Sequence, residues 1–100
     1  MREVVILSGA DADMDDIYAR LEEAGGGDKF LLAIDRKLEL LRSFPRLARR
    51  GMSGKVRKVK IGRTPYGLFY TIEGRRLMVI AFQDLRQDPQ ILARLIRSRL

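Results

Sequence analysis

The sequence predicts an α+β domain in the order β-α-α-β-β-β-α, with a helical hairpin packed on a small, mostly antiparallel sheet. Three observations lead there. A β-branched apolar run opens the chain, two segments of helical periodicity separated by glycines follow it, and strand-like runs then occupy the stretch from Lys55 to Phe82. At 100 residues the chain has the size of one domain, so a single unit spanning residues 1–100 around one two-layer core is expected.

Val4, Val5, Ile6 and Leu7, followed by Ser8 and Gly9, make the first strand. The period then changes. Ala10, Met14, Ile17 and Leu21 recur at helical spacing, and Asp13, Asp15 and Asp16 read as charges at the positive end of the helix dipole. The helix is expected to end at Ala24, before the freedom of Gly25, Gly26 and Gly27. Asp28 can cap a second helix with a stripe of Phe30, Ile34, Leu38 and Leu41, which Pro45 stops. Residues 46–54, with Arg46, Arg49, Arg50 and two glycines, read as an exposed loop.

Lys55 to Ile61 is the next strand, placing Val59 and Ile61 on one face and Lys58 and Lys60 on the other. Gly62 to Pro65 turns the chain into a strand from Tyr66 to Ile72, and Glu73 and Gly74 mark a tight hairpin. Leu77 to Phe82 is apolar on both faces, as a central strand should be. Pro89 opens a last helix, with Ile91, Leu92, Leu95 and Ile96 on one side and Arg94, Arg97 and Arg99 on the other.

Composition narrows the chemistry. Without cysteine there are no disulfides or thiolate metal sites, and without histidine any acid–base work falls to Tyr, Lys, Arg or a carboxylate. Asp13, Asp15 and Asp16 have no second ligand cluster, so neither a metal nor any other cofactor is expected. No apolar run approaches the roughly 20 residues of a membrane span, which predicts a cytoplasmic protein without membrane contact. The net charge of +7 is unevenly spread. Residues 1–39 hold five basic and ten acidic side chains, whereas residues 40–100 hold fifteen basic and three acidic. The second part therefore suits an acidic partner, either nucleic acid or an Asp/Glu-rich protein segment.

Four short patterns, in order, resemble the RelE/ParE superfamily of toxins from type II toxin–antitoxin systems, within it the ParE-like plasmid-stabilisation proteins. Ala10, Asp13, Met14 and Ile17 look like "A-x-x-D-L-x-x-I". Leu41, Phe44, Pro45, Arg46, Leu47 and Arg49 resemble "L-x-x-F-P-x-x-G-R", with Ala48 in place of Gly. Arg63, Thr64, Pro65, Tyr66 and Tyr70 are similar to "R-F-P-Y-x-x-x-Y". Arg86, Asp88 and Pro89 fit "H-x-R-R-D-P", although Asp84 stands for its His and Gln87 for one Arg.

The resemblance implies a growth-inhibiting toxin neutralised by a cognate antitoxin in a hetero-oligomer. ParE-like relatives inhibit DNA gyrase by binding. RelE-like relatives are mRNA interferases that cut on the ribosome, and a non-toxic RNA-binding homologue is a third possibility. The missing His and the single Arg of the closing pair favour the ParE-like reading. A RelE-like reading would assign catalysis to Arg57, Arg86 and Tyr66, with Lys60 as a further candidate, because that chemistry needs a base on the 2′-hydroxyl and cations on the phosphate. Arginine is a clamp but a poor base, and Arg86 can instead pair with Asp84 or Asp88.

Lys55, Lys58, Lys60 and Arg63 are the candidate nucleic-acid or antitoxin-binding residues. Two readings of this row stay open. It can neutralise successive phosphates beside the ring of Tyr66, which could stack on a base, or it can simply solvate an edge strand. Tyr66 and Tyr70 share a strand face and read as rings packed partly into the core with hydroxyls at the rim.

Overall fold

The computed structural model describes residues 2–51 and 54–100. Its elements follow the expected order: β1 (Glu3–Ile6), α1 (Ser8–Glu22), α2 (Gly27–Ser43), β2 (Arg57–Lys60), β3 (Tyr66–Glu73), β4 (Arg76–Asp84) and α3 (Pro89–Ser98). The sheet runs β1-β4-β3-β2. β1 pairs with β4 in parallel, and the other two pairings are antiparallel. β4 thus has a neighbour on each side, which explains why its residues are apolar in both directions. The loop expected at residues 46–54 includes residues 52 and 53, which lie outside the described residues.

The sheet separates two apolar clusters. On one face α1 and α2 contribute Ala10, Ile17, Phe30, Ile34 and Leu41 against Leu68, Tyr70, Leu77, Val79 and Phe82 of the strands. On the other, Leu92 and Ile96 of α3 meet Val56, Phe69, Ile80 and Ala81. A bulge makes this double use of β4 possible. Phe69 pairs with Ala81 and Tyr70 with Val79, so Ile80 is the extra residue. Ile80 and Ala81 can then both face α3 while Val79 and Phe82 face the hairpin.

Glycine suits two positions for different reasons. Gly74 takes a φ of +60° in the two-residue β3–β4 turn, a backbone state that costs glycine nothing. At Gly67 the constraint is space, since a Cβ would lie 2.6 Å from a methyl of Leu85.

Several local expectations are corrected. α1 stops at Glu22, so Ala24 belongs to the turn. Asp28 does not cap α2: Gly26 occupies the cap position, and Asp28 lies in the first turn, accepting a 3.4 Å hydrogen bond from the Tyr18 hydroxyl. Ile91 is exposed, so the buried stripe of α3 is Leu92 and Ile96. Pro89 opens α3 as expected, and Asp88 caps it, its carboxylate accepting from the Gln90 backbone N–H at 2.8 Å.

Candidate functional site

Direct pairing across a sheet puts partners on one face. Lys58 pairs with Phe69 and Lys60 with Gly67, so both lysines project on the α3 side, where they are exposed. Arg57 pairs with Tyr70 and faces the helical hairpin. Lys55 lies in the turn before β2, outside the strand alternation, while Arg63 is exposed in the turn after Gly62. The four expected binding residues therefore divide: Lys58 and Lys60 form one pair, Lys55 stands in the turn before the strand, and Arg63 in the turn after it.

The same sheet face carries a groove of about 580 Å³ beside the C-terminal end of α3. Leu7, Val56, Met78, Ile80 and Leu100 form its apolar lining, with Lys55, Glu73 and Arg99 as the charged residues beside them. α3 covers the sheet near Phe69 and Ala81 and leaves this part open.

Arg57, Arg86 and Tyr66 are not brought together. Tyr66 opens β3 opposite Asp84, near Arg86, whereas Arg57 lies opposite Tyr70, four strand residues or roughly 13 Å further along. Arg57 donates to the Ala48 carbonyl at 2.7 Å. Arg86 is forked onto Asp84, with Nε and one terminal nitrogen donating at 3.0 and 2.7 Å. The Arg86 backbone N–H adds a third bond to the same carboxylate at 2.9 Å. These bonds hold the Asp84 carboxyl down at about 2 and raise the Arg86 guanidinium in turn.

Tyr66 corrects one expectation. Its ring is only 6% exposed and meets Phe30 edge-on, with centroids 5.5 Å apart, so it offers no face on which a base could stack. Tyr70 is fully buried and its hydroxyl donates to the Pro45 carbonyl at 2.6 Å. Burial raises the Tyr70 hydroxyl's pKa against the opposing pull of the Ala48 backbone and the Arg57 charge.

Sequence reasoning missed one ion pair. Asp13, read above as a helix-start charge, is buried, and its carboxylate accepts from the Phe82 backbone N–H at 3.0 Å and from Arg99 at 2.6 and 2.9 Å. Arg99 also donates to the Ile80 carbonyl at 3.0 Å, so it folds back over the sheet end instead of joining the solvated side of α3. Asp13 raises the Arg99 guanidinium further above its ordinary value. One guanidinium thus joins α1, β4 and the residue that closes α3. The only hint in the sequence was an acidic residue on the apolar stripe beside Ala10 and Ile17.

No described helix is long and apolar enough to cross a membrane. Among the described residues, no three His, Cys, Asp or Glu side chains cluster in a way that could hold a metal ion.

Comparison with known proteins adds to this geometry. The family model described as "ParE toxin of type II toxin-antitoxin system, parDE" matches residues 4–89, from β1 to the first residue of α3. Among solved structures, the chain is similar to one from the chromosomal ParDE TA system of P. aeruginosa. The TM-score is 0.64 at 21% identity, over 84% of this chain and 96% of that one. No curated protein matches the sequence.

Proposed function

The chain belongs to the ParE toxin family of type II toxin–antitoxin systems, and on that premise we propose that it acts by binding and inhibiting DNA gyrase and is neutralised by a cognate antitoxin. The observation that carries the choice of binding over RNA cleavage is the engagement of Arg86. Cutting a phosphodiester needs cations directed at the phosphate and a group able to take a proton. Here Arg86 is paired with the Asp84 carboxylate, whose charge offsets its own, Arg57 stands roughly 13 Å away along the sheet, and Tyr66 is buried. A binding inhibitor needs none of these groups free.

The antitoxin reading draws support from the α3 side of the sheet. Lys58 and Lys60 share that face with the groove of Val56, Met78 and Ile80. A segment carrying apolar anchors and acidic residues would fill the groove and meet the lysines.

Purified protein is to be assayed for inhibition of gyrase supercoiling and for cleavage of ribosome-bound mRNA. Inhibition without cleavage is expected. Codon-spaced cleavage without inhibition would replace this reading with the RelE-like endonuclease. Induction without growth arrest would leave a non-toxic RNA-binding homologue.

A further inference from the structure

At the end of the sheet where β1 begins and the β3–β4 hairpin turns, the fold collects arginines that are distant in sequence. Arg2 precedes β1, Arg42 lies in the last turn of α2, Arg46 and Arg50 follow on the loop, Arg57 opens β2, and Arg75 sits in the hairpin. They line two concavities of about 310 and 480 Å³ that share Arg2 and Arg46. No carboxylate lines either concavity among the described residues. The pairing of Arg42 with Glu39 is loose, at 4.0 Å on the exposed side of α2. This end of the sheet lies away from Arg86 and Asp84.

Three of the guanidiniums are held, not merely adjacent. Arg2 donates to the Gly74 carbonyl, Arg42 to the Arg2 carbonyl at 3.2 Å, and Arg57 to the Ala48 carbonyl at 2.7 Å. Each of these bonds uses one of five N–H donors, which fixes the group and leaves donors for a ligand. Like charges placed this close repel one another, so an anion seated among them is favoured.

The shape and lining select the anion. Two joined basins with shared arginines suit a chain of anionic groups better than a single small ion. Guanidinium forks match phosphate oxygens two at a time. A protein segment would want an apolar centre, yet apolar side chains contribute only Ile72 and Pro45 here. A sugar–phosphate backbone needs no such centre, because its affinity comes from charge. With no aromatic ring in the lining, no base would be read by stacking. We infer that this arginine cleft binds the phosphodiester backbone of a nucleic acid without regard to sequence.

The test is fluorescence anisotropy of the full chain with a labelled DNA duplex of roughly 20 base pairs, and with RNA of the same sequence, between about 50 and 200 mM salt. Binding should weaken steeply as salt rises. Arg46→Ala with Arg50→Ala should weaken it by about tenfold or more at the low-salt end and reduce the salt slope by about two. Both residues are exposed, so an unchanged circular dichroism spectrum should accompany the loss. Lys58→Ala with Lys60→Ala, on the α3 face, should change binding by less than about twofold, against the roughly tenfold effect of the cleft pair. Either nucleic acid behaving this way supports the inference, and the preferred one identifies the source of the phosphodiester. Three results would overturn it: no binding to either, an unchanged affinity and slope in the arginine variant, or equally tight binding of a polyglutamate peptide of the same charge. None of these depends on whether gyrase is the target.

Discussion

Among single residues, a few buried polar groups fix which parts of the chain meet. Asp13 and Arg99 are the clearest pair, because burial raises the cost of leaving either without the other. Asp13→Ala removes the partner of Arg99 and of the Phe82 amide together, and should lower the free energy of unfolding by about 3 kcal/mol in urea denaturation. Tyr70→Phe, which removes only the hydroxyl on the Pro45 carbonyl, should cost about 1 kcal/mol by the same method. Asp84 differs because its pair with Arg86 lies open to water, where screening leaves little stability to gain. Its signature is a titration. The carboxyl sits at about 2 against an ordinary 3.8, so the small stabilisation it provides is complete above 3.8 and is lost as pH falls through about 2. A carboxyl NMR titration of Asp84 should show its midpoint near 2, and a midpoint near 3.8 would mean that the Arg86 fork is not closed in solution.

For the secondary-structure elements, periodicity made the order legible and geometry settled the rest. The stripe of Phe30, Ile34 and Leu41, and the alternation of Leu68, Tyr70 and Ile72, are local patterns that burial follows directly. The use of Ile80 and Ala81 on one face was not legible, because a bulge breaks the alternation and leaves no mark in an all-apolar run. The place of Asp13 on the stripe of Ala10 and Ile17 was a hint that it turns inward, but its partner was not legible, since Arg99 lies 86 residues away. The candidate site was legible in part. Alternation correctly separated Lys58 and Lys60 from Val59, but it could not show that the strand starts only after Lys55 or that Phe30 covers Tyr66. Packing of the loop after β4 against β3 supplies a further check. Gly67→Ala makes the end of the Leu85 side chain move aside and should cost up to about 1 kcal/mol, read as a lowered denaturation midpoint. Trimming Leu85 to Ala in the same chain should recover part of that loss.

Across the whole molecule, the charge asymmetry of the sequence becomes a division of surfaces. Lys58 and Lys60 lie on the α3 face beside an open groove, while the arginines gather at the sheet end. If the antitoxin occupies the first, Lys58→Glu with Lys60→Glu should weaken the toxin–antitoxin complex by at least about tenfold and flatten its salt dependence, both measured by titration calorimetry at two ionic strengths. An unchanged dissociation constant would remove the lysine face from that interface. The central claim is that the molecule stops growth through an occupied surface and not through a cutting centre, and it bears most directly on Arg86. The decisive measurement is the level of induced Arg86→Ala protein that halves the growth rate of cells. A value within about twofold of the unmodified protein is predicted, well inside the roughly hundredfold or greater loss typical of a removed transition-state contact. Full loss of growth inhibition in a correctly folded Arg86→Ala protein would contradict the account.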